Sequence, residues 1–466
     1  MKKLVITIWF WIGLLCSSLS CSKWFDISPK TDLKAGDLFE TESGFESALA
    51  GVYVSLTSGD VYGDAMTFGL LDQLAQMYDY LPNGAQDLED IYNYQTYTDL
   101  GFNTKSRLDR MWIGAYKAIA NVNNLLKWLD LRGQQVIKSQ ETLEMMYGEA
   151  YALRAYLHFD LLRCWGPTEY VKNKGNLSIP YRLVADNSKQ KRLPAERIVE
   201  QIFKDLDNAE RHLRFESGKS LADSNRRFRF NYYAVKALQA RIYLYVGDSI
   251  NAGKAAETVI SGCGLTLKTE NQNDPILFRE TLCGLSYYKM SEGLGYAFAE
   301  GPDFTTQYST SFVKYQRMLG GTGTSADADI RVKSGAILIY NAANVISRKY
   351  IKNDSSVIPL IRLPEMYYIL CECSPLDNAA RYINEVRSKR GYTSAESYGR
   401  FDTREDLIRA LSEEYRKEFY AEGQYFFFLK RTGIKALDYS DITLKTERFE
   451  FPIPDREIEY GWTEVE

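Results

Sequence analysis

Hydrophobic positions recur at helical spacing along most of this chain. Between residues 141 and 165 the apolar positions are Met146, Ala150, Leu153, Leu157, Leu161 and Cys164. Their steps of three and four place them on one face of an α-helix. Gly166 and Pro167 follow directly, and they end the predicted helix.

A helix, a turn and a second helix are predicted over residues 231–261. Apolar residues step regularly up to Tyr245, Gly247 interrupts them, and the alanine-rich stretch NAGKAAETVI follows. The unit has about the length of a tetratricopeptide repeat, roughly 34 residues. Further helices are predicted at 43–57, 105–131, 141–165 and 194–214, with helix pairs at 364–390 and 405–431. The chain is therefore predicted to be mainly α, with little β.

Two stretches lack helical spacing. Residues 58–104 and 266–345 are rich in Gly, Asn, Thr and aromatic residues. Long loops on a rigid helical scaffold often carry binding residues. We expect these two insertions to carry the functional residues.

Residues 1–20 are predicted to be an export signal. The apolar stretch at 4–15 is about 18 Å long as a helix, which is too short for a bilayer core of about 30 Å. Lys2 and Lys3 precede it, and Ser18 and Ser20 precede Cys21 at positions typical of a cleavage site. Cys21 resembles the acylated cysteine of a bacterial lipoprotein, although Leu19 lies two residues before it where three is typical.

Two alternatives remain at this end of the chain. Cys16 is the other candidate for acylation, but the bulky Leu15 next to the cut argues against it. In the second alternative the protein is secreted without an anchor and Cys21 is incidental. The favoured interpretation is a protein tethered to a membrane by acyl chains on Cys21.

Charge and histidine content exclude several classes of function. The net charge is −4, with 57 basic and 61 acidic residues mixed along the chain. A nucleic-acid partner is therefore not expected, because phosphate binding requires a basic stripe. His158 and His212 are the only histidines, and they lie far apart in predicted helices. This excludes a His-dependent triad and argues against most zinc sites.

The cysteines do not indicate a disulfide framework. Those after Cys21 are irregularly spaced and are predicted to be small buried residues. They are Cys164, Cys263, Cys283, Cys371 and Cys373.

The acidic clusters have structural interpretations. Glu414, Glu418 and Glu422 share one helix face, where two of them resemble a glycosidase acid pair. Basic residues nearby favour structural ion pairs instead. Asp327 and Asp329 lie in a stretch without the glycine and distal glutamate of an EF-hand loop. No catalytic residue, metal site or cofactor is predicted, and a structural Ca²⁺ in this loop is kept as an alternative.

Aromatic residues in the insertions are the remaining candidates. The chain has 34 tyrosines, 22 phenylalanines and 7 tryptophans. Flat rings cover the C–H faces of sugars, and nearby amides and carboxylates bind the hydroxyls. The candidate ligand-binding residues are Tyr78, Asp79, Tyr80, Asn83, Tyr92, Asn93, Tyr94, Tyr287, Tyr288, Phe304 and Tyr308. For any single tyrosine, burial in an ordinary folded lid is the favoured alternative.

Several segments in order resemble one family. They include CSKWFDISPKTDL, GFESALAGVYVSL, GEAYALRAYLHFDLLRCWG, LIRLPEMYYILCECS, EEYRKEFYAEGQYFFFLKRTG and FEFPIPDREI. Together they resemble the SusD/RagB-like outer-membrane nutrient-binding lipoproteins of Bacteroidetes over nearly the whole chain after residue 20. Departures occur at Cys371, Glu372 and Cys373, and at the phenylalanines of QYFFFLKR, and they concern packing more than binding.

The resemblance implies a fold, a location and a partner. The implied fold is a right-handed α-superhelix of about four tetratricopeptide-like helix pairs, with long irregular loop insertions. The implied divisions are a helical region at 21–265, a variable insertion at 266–345, and a helical region at 346–466 that packs back on the superhelix. The implied location is the cell surface, where the lipid anchor holds the protein on the outer membrane as a lid on a SusC-like TonB-dependent transporter.

Three functions are carried forward from the sequence. The first is a non-enzymatic receptor for an oligosaccharide, or for a peptide as in RagB-like members. The second is a lipid-anchored glycan hydrolase that uses the helix face from Glu414 to Glu422. The third is a repeat scaffold that assembles other envelope proteins.

Overall fold

The structure is a computed structural model. It describes residues 35–79, 102–222, 224–269, 274–288, 290, 295–298, 308–319, 329–332, 337–340, 344–351 and 356–460. The predicted signal peptide and Cys21 lie outside these residues. The divisions predicted at 265 and 345 stay predictions.

Helices make up most of the described chain. The helices used below are α1 (Glu42–Leu56), α2 (Phe102–Trp128), α3 (Gln140–Trp165), α4 (Ala195–Leu213), α5 (Tyr232–Val246), α6 (Ser249–Gly262), α7 (Phe312–Leu319), α8 (Leu363–Cys373), α9 (Leu376–Lys389), α10 (Arg404–Glu418), α11 (Gln424–Thr432) and α12 (Asp455–Tyr460). Shorter helical segments are Ala35–Leu38, Leu70–Leu74, Gln134–Val136, Tyr170–Asn173 and Gly295–Phe298. The mainly helical fold class is confirmed.

Small antiparallel sheets lie between the helices. The strands are β1 (Thr281–Ser286), β2 (Ser309–Ser311), β3 (Ile337–Tyr340), β4 (Asn344–Ser347) and β5 (Val357–Arg362). β1 pairs with β5, with Ser286 opposite Val357, and β4 pairs with β2 on one side and β3 on the other. β5 leads directly into α8. Most of these strands fall in the stretch that the sequence marked only as irregular.

The predicted helices begin and end close to their expected residues because local capping signals are present. The Thr41 side chain accepts a hydrogen bond from Gly44 N at 3.1 Å at the start of α1. The Asn231 side chain accepts one from Ala234 N at 3.0 Å at the start of α5. Such caps satisfy backbone donors that a helix leaves unpaired. Gly247 ends α5 in the left-handed region, with φ of 85°.

Consecutive helices pack as pairs. α3 packs on α4, α5 on α6, and α8 on α9, while α6 also packs on α8. Gly148 allows the close approach of α3 and α4, because a Cβ there would lie 2.4 Å from Leu213 Cγ. This serial packing agrees with the tetratricopeptide-like architecture. Within the described part of the chain, no helix combines the length and apolar character needed to cross a membrane.

A buried ion-pair network joins the C-terminal helices to the irregular region. Its carboxylates are Glu280, Asp329, Glu414, Glu418 and Glu422, and its cations are Arg331, Lys349, Arg362, Arg387 and Arg390. Glu418 lies at its centre, with Arg362 Nη1 at 2.7 Å and Arg390 Nη2 at 3.0 Å. The predicted structural ion pairs of Glu414, Glu418 and Glu422 are therefore confirmed.

The network corrects the hydrolase hypothesis. All three glutamates of that helix face are buried and bound by cations. The positive side chains hold the pKa of Glu414 down to about 2 against the opposing effect of burial. A general acid must keep its proton near neutral pH. Glu414 is ionised there, so this face does not supply a glycosidase acid pair.

The histidines and cysteines are structural in the described chain. His158 is buried in α3 with its ring 3.8 Å from the Tyr181 ring, and His212 lies in α4 beside Glu144. Cys164, Cys263, Cys283 and Cys371 are buried and Cys373 is half-buried, and none forms a disulfide. The prediction of small packed cysteines is confirmed.

Candidate ligand-binding site

The two insertions meet side by side in the fold. Residues 77–79 of the first run beside β2 of the second. The Asp79 N–H donates to Ser309 O at 2.9 Å, and the Ser311 N–H donates to Asp79 Oδ2 at 2.6 Å. The Thr310 hydroxyl donates to Met77 O at 2.7 Å. Segments more than two hundred residues apart in sequence are thus joined by backbone and side-chain hydrogen bonds.

Asp79 forms an ion pair across this junction. Lys314 Nζ lies 2.9 Å from Asp79 Oδ1 and also donates to Tyr78 O at 2.8 Å. Burial tends to raise the pKa of Asp79, but Lys314 and Ser311 outweigh it and the pKa is lowered. Asp79 therefore serves to join the insertions in this structure. Its predicted contact with a ligand stays a prediction.

Tyr78 and Tyr308 meet at the junction, but their rings point inward. The ring centroids lie 5.2 Å apart, and the exposed fractions are 1% and 0%. The Tyr78 hydroxyl donates to Phe68 O at 2.7 Å. The prediction of a solvent-open platform is corrected for these two residues, because burying their large apolar rings stabilises the place where the insertions meet.

The Tyr308 hydroxyl completes a polar cluster beneath the surface. It donates to Asp64 Oδ1 and accepts from Arg107 Nη2 at 3.2 Å. Arg107 Nη2 also lies 2.7 Å from Asp64 Oδ1. Burial opposes the charge on Arg107, but Tyr308 and Asp64 outweigh it and raise the pKa of the guanidinium. Burial first and then the Asp64 charge raise the pKa of Tyr308, so its hydroxyl keeps its proton.

A polar cleft of about 170 Å³ opens above this cluster. It is lined by Ser58, Gly59, Asp60, Asp64, Ala65, Arg107 and Arg110. Arg110 Nε lies 3.2 Å from Asp60 Oδ1, and the two side chains are 51% and 48% exposed. Arg110 Nη1 also donates to Ser106 Oγ at 2.7 Å. One mostly covered and one half-exposed arginine–aspartate pair therefore share the cleft, and Ser58, Gly59 and Ala65 complete its lining.

Local backbone geometry positions Asp64. Gly63 has φ of 107°, a conformation that residues with a Cβ adopt only with strain, and the π-helical turn Asp64–Phe68 follows it. At Gly69 a Cβ would lie 2.0 Å from Asp64 Oδ1 and 2.7 Å from the Tyr308 hydroxyl. The two glycines thus allow Asp64 to turn back toward Tyr308 and Arg107. π-Helical turns are frequent at functional sites.

The cleft is suited to a ligand with many hydroxyl groups. Guanidinium groups only donate hydrogen bonds, ionised carboxylates only accept them, and a sugar hydroxyl can do both. Ligand pockets are commonly about 300–1,000 Å³, so a cleft of 170 Å³ has room for only a small part of a ligand of that size. Among the residues that the structure describes, no group of three or more His, Cys, Asp or Glu is placed to hold a metal ion. Asp329 of the Ca²⁺ alternative is bound by Arg331, 2.7 Å away.

The other predicted residues fall in two groups. Tyr287 and Tyr288 follow β1; Tyr287 is half-buried with its N–H on Ser356 O at 2.8 Å, and Tyr288 is 85% exposed. Their contact with a ligand stays a prediction. Outside the described residues lie Tyr80, Asn83, Tyr92, Asn93, Tyr94 and Phe304.

The sequence interpretation missed the polar lining of the cleft. Asp60 and Asp64 lie in SGDVYGD, directly after the first predicted helix, and Arg107 and Arg110 lie in RLDR of the next helix. Two sequence signals mark these residues. The aspartates lie among glycines at a helix end, and the arginines lie three residues apart on one helix face. Neither signal was used, because the candidates were chosen among aromatic residues. Their pairing depends on tertiary packing.

Family models match most of the chain. One described as "Starch-binding associating with outer membrane" matches residues 23–244, and one described as "SusD family" matches residues 267–458. A curated relative, SusD-like protein P25 of Formosa agariphila, is 22% identical over 238 residues. That match covers 50% of this chain and 42% of the relative, so it spans less than half of the relative's length.

Solved structures share the fold over nearly their full length. A SusD superfamily protein from Bacteroides thetaiotaomicron superposes with a TM-score of 0.70 at 21% identity, covering 90% of this chain and 98% of that one. A protein from Bacteroides vulgatus, named as a sugar binding protein, gives 0.70 at 22% identity, covering 91% and 97%. With both family models in chain order and the same fold over nine-tenths of its length, this chain belongs to the SusD/RagB-like family.

Proposed function

We propose that this protein is a non-enzymatic receptor that binds an oligosaccharide at the bacterial outer membrane and delivers it to a SusC-like TonB-dependent transporter. The family description and the sugar-binding name of a solved neighbour support this proposal. The structural observation that carries it is the cleft of Asp60, Asp64, Arg107 and Arg110, two of whose residues are held by Tyr308 of the second insertion.

The cleft is built for reversible binding. Arg107 and Asp64 are already paired and held by Tyr308, so sugar hydroxyls meet fixed partners. A hydrogen bond to a charged group contributes about 1.5–3 kcal/mol. Two or three such contacts give about 4–6 kcal/mol, which corresponds to dissociation constants from about 1 mM down to tens of micromolar. A receptor that must release its ligand to a transporter needs such weak binding.

When the receptor closes over its transporter, the ligand is held more strongly although neither binding site has become tighter. When one ligand touches two linked surfaces, the second contact forms at an effective concentration in the millimolar range. Release then requires only that the surfaces separate. Outer-membrane attachment through acylated Cys21 keeps the receptor beside its transporter in this proposal.

The first experiment changes the exposed half of the cleft. Asp60→Ala with Arg110→Ala removes the half-exposed pair and leaves the buried cluster of Tyr308 intact. Binding is measured by affinity electrophoresis and calorimetry against neutral glycans, anionic glycans and a peptide pool. The variant is expected to bind its glycan about tenfold or more weakly, because two charged hydrogen-bonding groups are lost.

The matched control is Arg197→Ala with Glu200→Ala. It removes an equally exposed ion pair from α4, with the two side chains 62% and 50% exposed. This control is expected to bind as the wild type does. Equal binding by both double variants, or binding of peptides and no glycan by the wild type, contradicts the proposal.

The proposal of a non-enzymatic role has its own test. It rests on the family relationship and on the ion pairs that occupy Glu414, Glu418 and Glu422. Purified protein incubated with each glycan that it binds is expected to return that glycan unchanged by chromatography. Product that disappears in the Asp60→Ala, Arg110→Ala variant would instead indicate catalysis at the cleft.

A further inference from the structure

A second and larger cavity lies in another part of the molecule. It measures about 430 Å³ and lies between α2, the segment after Pro180 and α12. Its lining residues are Tyr116, Ala120, Pro180, Arg182, Asp186, Asn187, Ser188, Lys189, Gln190, Arg456, Glu457 and Tyr460. We call it the α2–α12 groove. It shares no lining residue with the cleft of Asp60 and Arg110.

The start of the groove wall is fixed to the helical scaffold. The Arg182 N–H donates to His158 Nε2 at 3.1 Å, and Asn123 Nδ2 donates to Arg182 O at 3.0 Å. The Tyr181 ring stacks on His158 with centroids 3.8 Å apart. The Tyr116 hydroxyl donates to Pro180 O at 2.8 Å. Helices α2 and α3 therefore hold this wall before any ligand arrives.

The rest of the groove wall is the loop of residues 182–188, which the guanidinium group of Arg182 holds together by hydrogen bonds. Arg182 donates to Asp186 O at 2.6 Å, to Asp186 Oδ1 at 2.9 Å and to Ser188 O at 3.1 Å. The Ser188 N–H and hydroxyl both donate to Asp186 Oδ1, at 3.2 and 2.7 Å. These bonds close residues 182–188 into a compact loop. A preorganised loop loses little conformational entropy when it binds a ligand.

The charges of Arg182 and Asp186 satisfy each other, but other cations in the groove remain available. Lys189 and Arg456 are both exposed, and within the described residues neither has a carboxylate partner within ion-pair distance. Glu457 in the lining and Asp109, whose pKa the charge of Arg456 acts to lower against the larger effect of burial, partly offset them. The groove therefore carries an excess of positive charge beside the amides of Asn187 and Gln190.

Two tyrosines supply apolar surface in the same groove. Tyr116 is half-buried and held by its hydroxyl, while Tyr460 is 71% exposed at the end of α12. Aromatic faces, amides and cations together fit the C–H faces, hydroxyls and anionic groups of an acidic sugar chain. The volume of about 430 Å³ lies in the usual range for ligand pockets, about 300–1,000 Å³.

We propose that the α2–α12 groove is a second ligand site that binds an anionic oligosaccharide, with Lys189 and Arg456 binding its carboxylate or sulfate groups and Tyr460 covering a sugar face. The chemistry shared by uronates and sulfated sugars is an anionic group on a hydroxyl-rich ring. This site does not depend on the cleft of Asp60 and Arg110, so either can fail while the other holds.

The experiment uses the full chain after residue 20 and three tetrasaccharides. These are tetragalacturonate, a sulfated tetrasaccharide and neutral maltotetraose, each titrated by calorimetry at low and high salt. Binding of either anionic probe is expected, with an affinity that falls as salt rises, because exposed charges are screened. Lys189→Ala with Arg456→Ala is expected to weaken that binding about tenfold or more, and Tyr460→Ala is expected to weaken it several-fold.

Two control variants make the result specific. Lys204→Ala with Lys254→Ala removes two exposed lysines from α4 and α6 and changes the net charge equally, and it is expected to bind as the wild type does. Asp60→Ala with Arg110→Ala separates the two sites, because a loss of probe binding in that variant alone would place the probe in the cleft and overturn the proposal. The proposal is overturned if neither anionic probe binds, if maltotetraose binds as tightly, or if Lys189→Ala with Arg456→Ala has no effect.

A shortened chain tests whether the protein itself occupies the groove. Residues 461–466 follow Tyr460 directly and contain two glutamates. A chain that ends at Tyr460 is expected to bind the anionic probe as the full chain does. Binding that appears only after this truncation would show that the groove receives the C-terminal segment, and the proposal would then be wrong.

Discussion

His158 shows how one buried side chain can hold a surface segment in place. Its Nδ1 donates to Arg154 O at 2.9 Å, and its Nε2 accepts from the Arg182 N–H. This pattern requires a neutral ring with the proton on Nδ1. Burial is the largest cause that holds the pKa of His158 down to about 3, so the ring stays neutral under ordinary conditions.

The first prediction concerns stability against pH. An unfolded histidine has a pKa of about 6.5, above the value of about 3 in the folded protein. Between these two pKa values the unfolded state therefore binds more protons than the folded state. The full contribution of neutral His158 to stability is present only above pH 6.5. We expect the free energy of unfolding to fall by up to about 1.4 kcal/mol per pH unit as pH drops below 6.5. Denaturant unfolding between pH 7.5 and 5 measures this.

The control for this slope is the second histidine. His158→Gln is expected to flatten the slope between pH 6.5 and 5, where few carboxylates titrate. His212→Gln in α4 is expected to keep the His158 slope. A slope that persists unchanged in His158→Gln would show that another group is responsible.

The second prediction concerns Glu418. Its carboxylate is buried and binds Arg331, Arg362 and Arg390. Glu418→Gln leaves these guanidinium groups with less negative charge in a buried setting. We expect a loss of about 3–5 kcal/mol in the free energy of unfolding, the usual cost of breaking a buried pair. Glu405→Gln, an exposed position on the same helix, is expected to change it by less than about 0.5 kcal/mol.

At the level of elements, the junction between residues 77–79 and β2 connects the two insertions. The third prediction is that Asp79→Asn loosens it, because the ion pair between Lys314 and residue 79 is lost and Ser311 loses a charged acceptor. Amide exchange in residues 308–319 is expected to speed up about tenfold, while exchange in α3 and α4 stays unchanged. Asp109→Asn, whose carboxylate lies 3.9 Å from the half-buried Lys105, is the control.

Equal exchange in residues 308–319 of both variants would show that hydrogen bonds and the Tyr78–Tyr308 contact hold the junction without the ion pair. In that case the contact between the Tyr78 and Tyr308 rings would be the main interaction that holds the two insertions together. Tyr308→Leu would then be the variant that separates the insertions.

The helices could be predicted from sequence because their signals are local. The period in α3, the glycine after α5 and Pro194 before α4 all lie within or next to the helix that they mark. The paired strands TLCGLS and VIPLIR gave no such signal. Both are buried on both faces, so they lack the alternation that marks a half-buried strand.

The site was less predictable because its parts are brought together by tertiary packing. Asp64 and Arg107 lie on different elements, and Tyr308 comes from the second insertion. Composition marked the loop tyrosines as candidate binding residues, with burial as the favoured alternative for any single one of them. In the structure the rings of Tyr78 and Tyr308 are buried at the junction, where they contribute apolar contact area. Burial is the more common environment of a large aromatic ring.

On the scale of the whole molecule, rigidity and binding are separated. The ion-pair network anchors the irregular region to α10, while the cleft and the α2–α12 groove lie on other elements. Substitutions at Asp60 or Lys189 are therefore expected to change the proposed binding without removing a support of the fold. This separation makes the binding predictions testable in folded variants.

The fourth prediction concerns attachment of the whole molecule. If Cys21 is acylated, Cys21→Ser expressed in a Bacteroidetes host loses incorporation of a labelled fatty acid and leaves the membrane fraction. The loss is expected to be nearly complete, because stable attachment without a spanning helix requires more than one acyl chain. Cys16→Ser is the matched control, since it changes the other candidate cysteine in the same segment and is expected to remain acylated. Acylation that persists in Cys21→Ser, or that disappears only in Cys16→Ser, would move the anchor and contradict the proposed tether beside the transporter.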